Sequence, residues 1–181
     1  MKRAATFAIL LTATLFSVPS FAQDSKQPAT LRSILLHELH TTHNKADWFV
    51  PINVAVDGLT AQQAAWQPPA GAHSAGQLAY HLWFWNRRTL RDLKGEPKEK
   101  YDGQNDETFT NFDDKQWSDL VKQLDQVMSD FEKLVESADE KKLAEWAPTI
   151  ANICTHNAYH TGQIVYVRKL QGSWNPEKGV K

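Results

Sequence analysis

The clearest pattern in the chain is a run in which Trp117, Leu120, Val121, Leu124, Val127, Met128, Phe131, Leu134 and Val135 recur three and four positions apart. That spacing lines one face of an α-helix with apolar side chains. Asp113 precedes the run with Gln116 three positions on, a capping-box pair that marks the first turn. Three other segments carry the same period less cleanly. Leu31, Ile34, Leu35, Trp48, Phe49, Ile52 and Val56 predict a first helix from Leu31 to about Val56, with a polar interruption from His37 to Asp47. Pro51 kinks that helix or ends its regular part. Leu78, His81, Leu82, Trp85 and Leu90 predict a second helix from about Ser74 to Leu93, stopped by Gly95 and Pro97. A fourth is expected to begin after Pro148 and run to about Leu170, with Gly172 as its stop. The stretch Asp57 to Ala72, punctuated by Gly58, Pro68, Pro69 and Gly71, reads as a connection that buries Leu59 and Trp66, and Tyr101 to Thr110 reads as loop.

No alternating run suggests a strand. Four amphipathic helices of about 20 residues make an all-α four-helix bundle the expected fold. The connection between helices two and three is long enough to cross the end of the bundle, so those two helices are expected to run parallel, in an up-down-down-up topology.

The first 22 residues are expected to stand apart from this domain. Met1-Lys2-Arg3 is a short positive end, Ala4 to Val18 is apolar apart from three Thr and Ser17, and Ser20-Phe21-Ala22 offers small residues for cleavage. This is the pattern of a secretory signal. The run is shorter than the roughly 20 apolar residues needed to span a bilayer and meets Pro19. The expected organisation is a signal peptide over residues 1–22, cleaved after Ala22, and a helical domain over residues 23–181, in the periplasm or outside the cell. No membrane partner is expected after cleavage. With 20 Lys and Arg against 21 Asp and Glu, the chain has no excess positive charge for a phosphate backbone, so nucleic acid is not expected either. A lone cysteine, Cys154, rules out an intramolecular disulfide and reads as a small packing residue.

Seven histidines are the unusual count. His156 and His160 lie four apart and therefore one turn above each other on one helix face, the spacing by which a helix offers two imidazoles to one metal ion. Chance alone supplies roughly a quarter of such a pair in a chain of this composition, so the spacing is weak by itself. Context strengthens it. Both share a face with Ile153, Ile164 and Val167, and His81 lies on the packing face of the second helix beside Leu78, Phe84 and Trp85. Buried imidazoles without partners are costly, and one ion would satisfy all three. His43 and Asp47, also four apart, are candidates for a fourth ligand or for a carboxylate that orients an imidazole. Gln163 is a candidate for bonding a water on the metal, or simply a polar residue at the bundle end. His37 and His40 read as exposed helix residues, and His73 as a residue at the start of the second helix beside the cap Ser74. Trp83, Trp85, Trp117 and Trp146 are pocket walls or core. Arg87, Arg88 and Arg91 are an anion site or, better, a solvated face.

The segment LTAQQAAWQPPAGAHS, the AGQLAYHLWFWNRRTLRDLKG that follows it (Ala75 to Gly95) and ICTHNAYHTGQIVYVRKLQG (Ile153 to Gly172) resemble the DinB-like (DinB/YfiT) superfamily of metal-binding four-helix bundles. The most specific part is a histidine before leucine in helix two paired with H-x-x-x-H followed by G-Q-I in helix four. The resemblance implies a divalent metal on His81, His156 and His160, and an up-down-down-up bundle. It also implies either a thiol-dependent transferase or isomerase using a small thiol such as mycothiol or bacillithiol, or a bundle known only for binding metal. Three histidines leave zinc one open position for water or substrate. Zinc or nickel leads among the metals that suit nitrogen ligands. The expected function is a metal-dependent hydrolase or thiol-dependent transferase; the alternative is a non-catalytic metal- or ligand-binding bundle with a structural ion. The expected partners are a small-molecule substrate or thiol, and a second copy of the chain in a homodimer.

Overall fold

The structure is a computed structural model, which describes residues 28–110 and 112–179. The signal-peptide segment 1–22 lies outside the described residues. Within them the chain forms helices α1 (Leu31–His43), α2 (Ile52–Val56), α3 (Ala61–Ala65), α4 (Ala75–Leu93), α5 (Asp114–Ser137) and α6 (Glu140–Gln171), and no strand. Helices α1, α4, α5 and α6 are the four members of the bundle. None of the described helices is long and apolar enough to cross a membrane.

Side-chain caps explain where the long helices begin. Ser74 accepts from the Gln77 N–H ahead of α4, and Asp113 accepts from the Gln116 N–H ahead of α5, each in a reciprocal capping box. Gly172 ends α6 at φ 77°, a left-handed conformation that glycine adopts without a Cβ clash.

Two boundaries differ from the sequence expectation. The first helix does not continue to Val56: α1 stops at His43, where the His40 carbonyl accepts from both Asn44 and Lys45. Pro51 then occupies the capping position of α2. The apolar spacing across the interruption is coincidental, since Trp48 is 97% exposed. The fourth helix starts at Glu140, eight residues before Pro148, because the Asp139 carboxylate caps the Lys142 N–H at 2.8 Å. Pro148 lies inside α6. An internal proline costs about 3 kcal/mol, but this turn buries Leu143, Trp146 and Ile150, each worth about 1.5–3 kcal/mol. The predicted connection after Asp57 also contains α3, begun by a Thr60–Gln63 capping box. It does bury Leu59, and Trp66 packs half-buried against the core.

Helices α4 and α1 each pack against both α5 and α6. Their directions follow from specific pairs. Arg32 at the start of α1 donates to the carbonyls of Val135, Glu136 and Ala138 and pairs with Glu140, while His43 at its end meets Glu132 and Asp125 further back on α5. So α1 runs antiparallel to α5 and parallel to α6. On α4, His81 meets His156 and Asn86, further along, still meets Asn157, and Thr89 shares a cleft with Thr149. So α4 runs against α6 and with α5, and the bundle is up-down-down-up. Its centre is Leu39, Leu82, Leu124, Met128, Phe131, Leu143, Ile150 and Ile164, all essentially fully buried.

The far end of α6 is tied down by Arg168, 3% exposed. Its guanidinium donates to the Ala55 and Asp57 carbonyls at 2.6 and 3.1 Å and to the Ser173 carbonyl at 2.9 Å. These bonds hold α2 and the chain beyond α6 to the bundle. Arg168→Met keeps the apolar stem but leaves three carbonyls short of a donor. It is expected to lower unfolding free energy by about 2 kcal/mol or more in urea titration; an unchanged midpoint would contradict this assignment.

Candidate functional site

His81 sits two turns into α4, and His156 and His160 stand one turn apart on α6. Because α4 and α6 are antiparallel neighbours, the three imidazoles meet. One ring nitrogen from each lies within 4.8 Å of the others, and the Nε2 atoms of His81 and His156 are 3.1 Å apart. The rings present edges to one another, with His81 to His160 centroids at 4.8 Å and His156 to His160 at 4.6 Å. One turn along, Asn86 donates to the Asn157 side-chain oxygen at 2.8 Å within the core. This buried amide pair fixes the register of the two helices beside the histidines.

Two hydrogen bonds determine which nitrogens face the centre. His81 Nδ1 is 2.5 Å from the Thr108 hydroxyl, and that hydroxyl donates its proton to the Asn105 carbonyl at 2.6 Å. Having given its only proton away, Thr108 accepts from His81, so the His81 proton is on Nδ1 and its Nε2 lone pair points inward. His160 Nδ1 is 2.6 Å from the Gln163 amide oxygen, an acceptor, which places the His160 proton on Nδ1 in the same way. Thr108 belongs to a short 3-10 turn, Asn105–Thr108, inside the segment expected to be plain loop. The next residue, Phe109, is stacked between two imidazoles, His73 at 3.6 Å and His81 at 4.3 Å, with rings within 4° of parallel.

Burial keeps the cluster neutral. It pushes His81 down to about 3, helped by the neighbouring His160 and His156. His156 is pushed down to about 4 by burial and His160. His160 is lowered by burial against the opposing effect of the Gln163 bond. The donor set fits a divalent cation. Two Nε2 lone pairs converge, a single proton on His156 could satisfy only one of them, and the 3.1 Å approach is near the roughly 3.3 Å expected between two nitrogens on one tetrahedral ion. The histidines lie along a cleft of about 520 Å³ between α4 and α6 that also takes in Trp85, Phe109 and Ile153.

The other candidates lie elsewhere. His43 is 1% exposed, with Nδ1 2.7 Å from Glu132 and Nε2 3.0 Å from Asp125, so both its nitrogens are engaged by α5. Asp47 is 3.6 Å from His37 beside a shallow depression near Trp48. Gln163 does reach the cluster, through His160 itself. Cys154 is buried and its thiol is pushed up to about 12, as a packing residue requires. Trp117 and Trp146 are core, whereas Trp85 lines the cleft. Arg87, Arg88 and Arg91 all converge on Glu99. Thr108 and Phe109 escaped the sequence reading. A lone Phe in a polar loop was a usable signal, but the threonine carried none.

Linkage gives these imidazoles a measurable signature. Below about 6.5, the ordinary histidine value, the unfolded chain takes up protons that the folded cluster refuses. Stability without metal therefore falls as pH drops from about 6.5 toward the values near 4 and 3. Thermal melts from pH 7 to 4 are expected to show this decline, and His156→Gln should make it shallower. An identical slope in the variant would contradict a neutral, half-buried His156.

A sequence model of the DinB superfamily matches residues 52–164, which contain all three histidines. No curated protein and no solved structure matches the chain. The match covers more than half of the sequence, and the chain belongs to the DinB superfamily.

Proposed function

We propose that this chain is an exported divalent-metal protein whose His81, His156 and His160 centre serves a metal-dependent hydrolase or a thiol-dependent transferase. The observation that supports the reading most is the inward aim of neutral Nε2 donors from α4 and α6 at the edge of an accessible cleft. Three protein ligands leave a tetrahedral ion one position for an exogenous molecule. When bound, the ion would supply Lewis-acid activation of a water or thiol nucleophile.

The chain's own residues then have separable tasks. His81, His156 and His160 hold the ion. Thr108 and Gln163 fix the proton of two imidazoles on the nitrogen that faces away from it. Phe109 covers the His81 face against solvent. Among the described residues lining the cleft there is no carboxylate, so a proton released from the nucleophile leaves to solvent. That same feature favours the second reading, a bundle that holds metal or ligand without turnover. Export rests on the pattern of residues 1–22, which also sets a cytoplasmic small thiol at a disadvantage as co-substrate.

Purified protein equilibrated with zinc or nickel is expected to retain one ion per chain by elemental analysis, and His81→Ala and His156→Ala to lose it. Equal metal in all three proteins would overturn the assignment. Thr108→Val, nearly the same shape, is expected to keep the fold and weaken the ion by about 10- to 100-fold in a chelator competition. Chelation separates the two readings: a large loss of melting temperature marks a structural ion, and a small one fits an open catalytic centre.

A further inference from the structure

The cleft has a sequence of chemistries along its length, set by the antiparallel packing of α4 and α6. On α4, His81, Trp85 and Thr89 follow one another at intervals of four residues, so each is one turn further from the cluster. On α6 the order reverses, and His156, Ile153 and Thr149 descend the same way. All six line the cleft. The histidines are at one end, an indole and an isoleucine in the middle, and two threonine hydroxyls at the other. Eight residues of helix measure about 12 Å, close to the length of a substituted benzene ring with a ligating group at one end and a polar substituent at the other.

Charge is missing from these walls. No Lys, Arg, Asp or Glu is among the described lining residues. The nearest arginines on α4 are directed away from these walls, toward Glu99: Arg87 places its Nη1 and Nη2 2.8 and 2.6 Å from the Glu99 carboxylate, and Arg88 and Arg91 bond to Glu99 as well. A carboxylate or phosphate reaching the distal end, where Thr149 is exposed and Thr89 half-buried, would give up part of its hydration without meeting a cation among the lining residues. A neutral hydroxyl or amide would meet Thr89 and Thr149, which both donate and accept. The half-buried face of Trp85 suits a flat apolar ring, which it can cover by stacking or edge contact.

From this order we infer that the cleft selects an uncharged aromatic substrate, one that presents a metal-ligating oxygen or sulfur to the histidine end and a neutral polar substituent to the Thr89–Thr149 end. The inference rests on the metal-site reading above and names the substrate class of that same site.

Hydroxamic acids test it, because one metal-binding head group can be joined to different tails. Calorimetric titration of the zinc-loaded protein would compare acetohydroxamic, benzohydroxamic, 4-(hydroxymethyl)benzohydroxamic and 4-carboxybenzohydroxamic acids, with zinc content measured on the same samples. The benzo compound is expected to bind roughly tenfold or more tighter than the aceto compound, from the ring surface it buries. The hydroxymethyl compound should keep that gain and the carboxy compound lose it. Trp85→Ala should remove the preference for the ring, bringing benzohydroxamic acid affinity down to that of acetohydroxamic acid measured on the same variant at equal zinc content. Thr149→Lys, on an exposed position, should restore binding of the carboxy compound. Zinc present with equal affinity for ring and methyl, or with the carboxy compound tightest in the unmodified protein, overturns this inference alone. Zinc absent overturns it together with the reading on which it rests.

Discussion

The Thr108 hydroxyl gives its proton to the Asn105 carbonyl and so can only accept from His81. This small constraint sets the direction of a lone pair. With the proton held on Nδ1, His81 turns its Nε2 toward His156, and Gln163 imposes the same choice on His160. Reversing either proton would put N–H groups face to face in a space where burial already disfavours the charged imidazolium. The cluster is thus a set of neutral donors, which is the state a metal ligand needs.

The bundle exists, from the site's point of view, to deliver these atoms. Opposed directions for α4 and α6 bring a histidine from one helix against two from the other. The Asn86–Asn157 pair makes a slip between them expensive, since either amide would lose its buried partner. The chain between α4 and α5 does more than connect: its 3-10 turn supplies Thr108, and Phe109 fills the gap between His73 and His81. Arg32 and Arg168 do comparable work at helix ends, satisfying carbonyls that helices leave open.

Much of this was legible from the sequence because it depends on local periodicity. The a/d run of α5 and the caps Ser74 and Asp113 specify helices by short-range physics, and His156 with His160 share a face wherever that helix packs. The long connection before α5 foretold parallel α4 and α5. What escaped depends on distant partners. The apolar spacing from Leu31 to Val56 matched a helix, yet Trp48 faces solvent, because nothing local distinguishes an outward turn from a continued one. Pro148 looked like a beginning, and only the burial of Leu143 and Trp146 against other helices explains why α6 continues through it. His43 had the right spacing with Asp47, but its partners Glu132 and Asp125 come from α5, more than 80 residues away. Thr108 could not be read as a support for His81 at all, since a threonine in a polar loop has no signature until the loop is folded.

Nitrogen-15 NMR of the histidine side chains in the metal-free protein at pH 7 reports which ring nitrogen of His81 and His160 carries the proton. His81 and His160 are each expected to show a protonated Nδ1 and a bare Nε2, with neither ring charged. A proton on Nε2 of either residue, or an imidazolium signal from either, would contradict this arrangement.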